Sequence, residues 1–330
     1  MAKVGVVGTT SWGTTLAILL ARRGLNVAIW ARTREVADRL RAENQNSRFL
    51  PGVEFPPNLH VTASPGEAVG GTDLVIIAVP SRTLRDNARE VEGSLGPSTI
   101  VVSATKGLEV GTGNRMSQIL EAELSCGPPI CAMSGPNLAS EIIDGKPSST
   151  VVASVDKDAA ATAQSLITST RFRVYTNDDV VGVELGGALK NIIALGAGIC
   201  DGLGYGDNAK AAFMTRGLAE ITRLGVAAGA NPLTFAGLAG MGDLVATCAS
   251  TLSRNHHVGE LLATGMSLDQ IRASMQNVVE GVDTTAAAIH LARQVGVEMP
   301  ITSATYGVLF EGVPLERAIA DLLGRAPRPE

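Results

Sequence analysis

The 330-residue chain carries 27 Lys and Arg against 32 Asp and Glu, a formal net charge of −5, so neither nucleic acid nor an anionic membrane surface is an expected partner. The length suits about two domains with a sizeable core. With aromatics at 3% and 37 glycines, that core must be built from small aliphatic residues, as in α/β layers and closely packed helices. Cys126, Cys131, Cys200 and Cys248 form no C-x-x-C pair and no metal spacing. The expectation is therefore free thiols in a reducing cytoplasm and no metal. Mean hydropathy is +0.21, yet no run of about 18 uninterrupted apolar residues suggests membrane insertion. The chain opens on a strand rather than on a basic segment leading into an apolar core.

The first elements are a buried strand over Lys3 to Gly8, a helix over Trp12 to Arg23 ending at Gly24, and a second apolar strand over Asn26 to Ala31. Strand, glycine-bearing turn, helix and strand make the βαβ unit of a dinucleotide fold. Gly8 and Gly13 occupy the first and third glycine positions, while Thr10 stands where a glycine usually lets backbone approach a pyrophosphate. A Cβ there narrows the approach, leaving the Thr9, Thr10 and Ser11 hydroxyls and the helix N-terminus as possible phosphate donors. The second strand runs into Arg32 and Arg34 with no acid at its end, which favours the 2′-phosphate of NADP; Glu35 close behind keeps NAD open. Further strands are expected at Asp73–Val79, Thr99–Ser103 and Pro129–Met133, followed by Lys106-Gly107 and by Ser134-Gly135-Pro136-Asn137 ahead of a helix over Leu138–Ile143. Ligands of parallel sheets collect at such strand ends. Ser148–Ser154 and Arg171–Tyr175 read as a closing pair of strands around one more helix.

Beyond Thr176 the strand pattern stops, and a boundary near residue 178 divides a dinucleotide-binding domain (1–178) from a helical substrate domain (179–330). Asn177 or Asp178 is positioned to cap the next helix, which carries Gly186-Gly187-Ala188-Leu189-Lys190-Asn191. Among the residues three or four away from Lys190, Gly186, Gly187 and Ala194 are small, so its amine stands on a nearly bare strip of helix. Interior glycines cost roughly 1 kcal/mol each, so something must approach closely, either a packed helix or a planar ligand. Further helices are expected at Asn208–Ala228, Asp283–Val295, Ser303–Phe310 and Leu315–Leu323. Gly240-Met241-Gly242-Asp243 sets a carboxylate behind glycines, and Ser253-Arg254-Asn255 opens a helical run over Val258–Leu262. A capping serine with an arginine at a helix N-terminus suits a phosphate. His256 and His257 point about 100° apart on a helix and are expected to be exposed.

These motifs occur together, in order, with Cys200–Arg216 (C-D-G-L-G-Y-G-D-N-A-K-A-A-F-M-T-R) and Val279-Glu280-Gly281. Over essentially its whole length the chain resembles the soluble bacterial NAD(P)-dependent glycerol-3-phosphate dehydrogenases. The resemblance implies a Rossmann-like doubly wound sheet followed by an all-helical C-terminal domain. It also implies a cytoplasmic homodimer that reduces dihydroxyacetone phosphate to sn-glycerol 3-phosphate for glycerophospholipid synthesis. By position it assigns Ser11, Trp12, Arg32 and Phe49 to the cofactor, with Lys106, Ala139, Arg254, Val278 and Glu280 nearby. It assigns Lys106, Gly135, Asn137, Lys190, Asp243, Ser253, Arg254 and Asn255 to the substrate, with Lys190 as proton acceptor in alcohol oxidation. Lys106 and Asp243 are expected to assist Lys190, the first by polarising the carbonyl or holding a hydroxyl, the second by orienting the amine. Thr10 is the main departure from the family's pattern. A related two-domain reductase acting on a carboxylate-bearing ketone is the alternative.

Overall fold

The structure is a computed structural model describing residues 2–275 and 279–326. It separates into two compact units, Met1–Lys106 with Arg115–Glu184, and Gly107–Asn114 with Leu185–Glu330.

The first unit is built on an eight-stranded sheet of β1 (Lys3–Val7), β2 (Asn26–Trp30), β3 (Leu59–Thr62), β4 (Leu74–Ile77), β5 (Ile100–Ser103), β6 (Ile130–Ser134), β7 (Ser148–Ala153) and β8 (Phe172–Asn177). The strand order is β3-β2-β1-β4-β5-β6-β7-β8. Strands β1 to β6 run parallel, β7 pairs antiparallel with β6, and β8 runs parallel to β7. The chain winds outward from β1 to β3 and returns to β4 on the other side, so the order reverses between β1 and β4, where ligands of this sheet type sit. Seven helices belong here: α1 (Ser11–Arg22), α2 (Arg34–Glu43), α3 (Pro65–Val69), α4 (Leu84–Glu92), α5 (Met116–Glu123), α6 (Ala139–Ile143) and α7 (Lys157–Ile167).

Successive side chains of the central strands enter opposite faces. Val4, Val6, Leu74 and Ile76 join one core with Leu16 and Leu20 of α1, whereas Val7, Val75 and Ile77 join another with Leu84 of α4 and Ile119 of α5. A sheet covered on both faces needs strands that are apolar throughout, which makes these strands conspicuous in sequence. Besides the short helices α3 and α5, β3 and α2 escape that reading. β3 is four residues long and interrupted by the exposed His60. α2 buries only Ala37 and Leu40, too thin a stripe to mark a helix by periodicity.

The second unit is helical: α8 (Val180–Gly202, beginning in the first unit), α9 (Gly206–Ala227), α10 (Pro232–Ala236), α11 (Asp243–Ala249), α12 (Arg254–Ala263), α13 (Leu268–Ser274), α14 (Glu280–Val295), α15 (Pro300–Phe310) and α16 (Leu315–Leu323). One π-helical turn, Leu238–Gly242, leads into α11. The cap of α8 is neither Asn177 nor Asp178. Asn177 Oδ1 accepts the Asp179 N–H, and Asp179 Oδ1 accepts the Gly182 N–H, so the capping position falls one residue later. By length and composition α8 is apolar enough to cross a membrane, but 89% of its apolar window is buried inside the structure. Leu195 and Ile199 of α8 pack with Val258 and Leu262 of α12, Val282 of α14 and Leu309 of α15.

The bare strip on α8 is filled by protein backbone rather than left for a planar ligand. A Cβ added at Gly186 would lie 2.7 Å from Ala239 O, and one at Gly198 would lie 1.9 Å from His256 O. Neither neighbour is a side chain that can swing away. Gly198→Ala should therefore destabilise the protein by about 1–3 kcal/mol or more. Gly93→Ala, whose added methyl meets nothing within 4 Å, should stay near wild type. Denaturant titration of the two variants is the check.

Candidate active site

Lys190 lies in the middle of α8 with 6% of its surface exposed. Its Nζ donates to Asp243 Oδ1 at 2.5 Å and to Thr247 Oγ1 at 2.5 Å. Asp243 opens α11 directly behind the π-helical turn, and Thr247 follows at i+4, one turn along the same face. The Thr247 hydroxyl donates in turn to Asp243 O at 2.6 Å. With Asp243 at 1% exposure, this is a buried ion pair with a hydroxyl as its second acceptor, not a carboxylate on a surface turn. Removing one partner of such a pair strands the other charge.

A second polar chain continues from the next residue. Asn255 Nδ2 donates to Asn191 Oδ1 at 2.9 Å, and the Gly281 N–H donates to Asn255 Oδ1 at 3.0 Å. These bonds tie α8, the start of α12 and the start of α14 together. Ser253 caps α12, its Oγ accepting the His256 N–H at 3.3 Å. Arg254 occupies the first turn beside that cap and stays accessible to solvent. Partial desolvation pulls its guanidinium below the usual value, and Glu280 opposes that shift. Glu280 is the first residue of α14, not part of a preceding turn.

His256 departs from expectation. It is 4% exposed, and its Nε2 lies 2.7 Å from Asp201 Oδ2. Asp201 Oδ2 also accepts from Lys210 Nζ at 2.5 Å. Burial alone would raise the Asp201 carboxyl, but Lys210 and His256 hold it below the ordinary carboxylate range. His257 is exposed, as its sequence position suggests.

In the first unit, the turn between β1 and α1 has the geometry its glycines require. Gly8 adopts φ +114°, and a Cβ on Gly13 would meet Gly8 O at 2.4 Å. Thr10 is the N-cap of α1. Its Oγ1 accepts the Gly13 N–H at 3.1 Å and donates to Ala78 O at 2.8 Å. That hydroxyl is spent on the protein and is not a phosphate donor, so the expectation fails for Thr10. The N–H groups of Ser11 and Trp12, in the first helical turn, lack helical acceptors and suit an anion. Buried Asn46 braces the turn, donating to Thr9 O at 3.0 Å and Thr14 Oγ1 at 2.8 Å. Phe49, three residues on, has the Arg48 guanidinium over its ring. Arg32, just past β2, is half-exposed and pairs with Glu90 at 3.1 Å.

Lys106 follows β5, and its Nζ donates to Gly135 O at 2.9 Å behind β6. Asn137 Nδ2 donates to Thr150 Oγ1 at 2.9 Å, while its Oδ1 is buried without a partner among the described residues. Ser103 Oγ and Ser134 Oγ, at the carboxyl ends of β5 and β6, are likewise buried and unpartnered. Native proteins seldom leave such atoms unpaired, and these three orphans lie at adjacent strand ends where a cofactor and substrate are expected. Ala139 begins α6 close behind. Val278 lies outside the described residues.

A family model described as the NAD-dependent glycerol-3-phosphate dehydrogenase N-terminus matches residues 3–160, and its C-terminal counterpart matches residues 179–320. The chain belongs to this family. It is 52% identical over 326 residues to a glycerol-3-phosphate dehydrogenase [NAD(P)+] of Dehalococcoides mccartyi, covering 98% of this chain and 91% of that one. It matches the crystal structure of glycerol-3-phosphate dehydrogenase from Coxiella burnetii with a TM-score of 0.94 at 35% identity, covering 98% of this chain and 99% of that one. A ketopantoate reductase of Ralstonia eutropha, 16% identical with a TM-score of 0.61 over 96% of this chain and 99% of that one, shares the fold alone. The alternative reading of a carboxylate-acting reductase draws no support from that likeness.

Within this dehydrogenase chain, sequence reasoning missed Thr247, Asn46 and the Asp201–His256 contact. The i+4 spacing from Asp243 was a usable signal for Thr247; nothing local marks the other two, whose contacts span 32 to 55 residues. The buried pair makes a specific energetic prediction. Asp243→Leu should cost about 3–5 kcal/mol by leaving the Lys190 ammonium uncompensated, and Lys190→Met added to it should recover a large part of that loss. Denaturant titration of the two variants checks this; equal stability of both would remove the ion pair from the account.

Proposed function

We propose that this chain catalyses the reversible NAD(P)H-dependent reduction of dihydroxyacetone phosphate to sn-glycerol 3-phosphate. The observation that carries the reading is the buried Lys190–Asp243–Thr247 cluster, in a chain whose two family models are those of glycerol-3-phosphate dehydrogenase. We assign residues 1–178 to the cofactor and 179–330 chiefly to the substrate.

When bound, the nicotinamide cofactor supplies or receives the hydride at C2. The turn Gly8–Gly13 and the N–H groups of Ser11 and Trp12 fit its pyrophosphate, with Phe49, Ala139 and Glu280 as further contacts. Arg32 suits a 2′-phosphate, since its exposed pair with Glu90 is weak and readily exchanged. Lys190 Nζ donates a proton to the C2 oxygen as that oxygen gains negative charge, and takes it back in alcohol oxidation. Asp243 and Thr247 fix where the amine points. Arg254, with the N-terminus of α12, holds the substrate phosphate, and binding energy gained there helps to position C2. Lys106 polarises the carbonyl, and the unpartnered Asn137 Oδ1 accepts a ligand hydrogen. Ser253 and Asn255 act through the structure they hold, one as the cap of α12 and the other as the link from Asn191 to Gly281. The product would serve glycerophospholipid synthesis in the cytoplasm. A homodimer is supported by the exposed Leu233, Met241, Val245 and Leu252 on and around α10 and α11, and light scattering tests it.

Loss of NADPH or NADH absorbance on addition of dihydroxyacetone phosphate is the direct assay. Lys190→Ala should lower kcat by about 10²–10⁴-fold with the fold intact by circular dichroism; near-normal turnover would remove its role. Arg254→Ala should act mainly on KM for dihydroxyacetone phosphate. Arg32→Ala should lower the ratio of kcat/KM for NADPH over NADH about tenfold, the usual scale of one lost charge-assisted phosphate contact. An unchanged ratio would detach Arg32 from cofactor choice.

A further inference from the structure

The adjacent pair Arg22-Arg23 is absorbed by none of the chemistry above. It closes α1 and lines a pocket of about 510 Å³ in the first unit, together with Lys146 in the turn after α6 and Arg171 just before β8. That volume falls in the range of small-molecule sites. Among the described residues four cations line the pocket and no Asp or Glu does, on a chain whose net charge is −5.

The arginines are held by backbone rather than by carboxylates. Arg22 Nη1 donates to Ile143 O at 3.1 Å, Arg23 Nη1 to Ser165 O at 2.9 Å and Leu166 O at 2.5 Å, and Arg171 Nη1 to Gly145 O at 3.1 Å. Elsewhere in the unit arginines find acids: Arg85 and Arg89 share Glu123, and Arg115 has Glu184. Among the described residues no carboxylate pairs with any of the three pocket arginines. Each is anchored through one nitrogen and keeps the rest of its fork, the shape that grips phosphate oxygens in pairs. Among the described residues Lys146 pairs with Glu141 alone, at 3.6 Å with both side chains well exposed. Four like charges gathered in one pocket repel one another until an anion enters. The hydroxyls of Thr168, Ser169 and Thr170 on the same wall are further donors for phosphate oxygens.

We propose that this pocket binds a compact anion bearing two or more phosphoryl groups, either free in solution or displayed as a lipid headgroup. It is distinct from the nucleotide turn, which lies at the opposite end of the 12-residue α1, about 18 Å away along the helix. Isothermal titration of the NADPH-saturated protein with inorganic triphosphate should show one site that weakens with added salt. The double variant Arg23→Gln/Lys146→Gln should lose at least about tenfold in affinity while its turnover with dihydroxyacetone phosphate is unchanged. Triphosphate should also slow acetylation of Lys146 several-fold in the wild-type protein and leave Lys157 on α7 untouched, a readout that needs no variant. Sedimentation with vesicles of a phosphatidylinositol bisphosphate in phosphatidylcholine separates the two sources: binding that needs Arg23 and Lys146 and occurs only on vesicles assigns a headgroup. Titration curves identical in wild type and variant, or no binding to either probe, would overturn the site.

Discussion

A lysine ammonium buried to 6% exposure sets the conditions that much of the second unit meets. Taking such a charge out of water costs several kcal/mol even after relaxation, so α8 can carry Lys190 only if acceptors are delivered to it. The delivery depends on backbone proximity. Gly186 lets the π-helical turn approach until Ala239 O would sit 2.7 Å from a Cβ, and that turn hands the chain to Asp243 at the head of α11. A larger residue at Gly186 would push the turn away, and the carboxylate with it. The glycines that look like helix weaknesses in sequence are what bring an acid to a buried base.

The same logic orders the neighbouring polar groups. Asn191, Asn255 and the Gly281 N–H satisfy one another, and Ser253 is occupied as a cap. Groups engaged in this way do not reorganise when charge develops nearby, which is the condition for electrostatic assistance in a site. The division of labour is visible in what each side chain has left to offer. Asn255 has one N–H and its carbonyl oxygen committed to the protein, whereas Arg254 beside it reaches solvent and Asn137 Oδ1 has no protein partner among the described residues. Position in a family motif alone does not say which of these groups still has a donor or acceptor to offer; their hydrogen bonds do.

Much of this was legible in the chain. Buried parallel strands announce themselves as apolar runs, so β1, β2, β4, β5 and β6 fall where their composition puts them, while β3 and α2, exposed on one side and short of apolar residues, do not. Lys190, Asp243 and the Ser253 cap were readable from residue type and local spacing. His256 differs from its expected exposure because helical position gives the angle between neighbours but not what lies opposite. The face of α12 that should have met water meets Asp201, 55 residues away. Long-range pairing of this kind leaves no periodic trace, and it is where sequence reasoning ran out.

Thr10 shows how a motif can be broken at one position without losing its purpose. The three glycines of a dinucleotide turn answer different demands: a positive φ at the first, room for the ligand at the second and helix-to-strand contact at the third. Gly8 at φ +114° and Gly13 against Gly8 O still meet the first and third, and no side chain can replace glycine there. At the second position threonine gains something glycine lacks, a hydroxyl that caps α1 and ties it to the end of β4 at Ala78 O. Against glycine the cap is worth only a few tenths of a kcal/mol, but it stiffens the turn before any cofactor arrives. With the Thr10 hydroxyl bound to protein, the backbone N–H groups of the first helical turn remain open to an anion, and threonine leaves them in place.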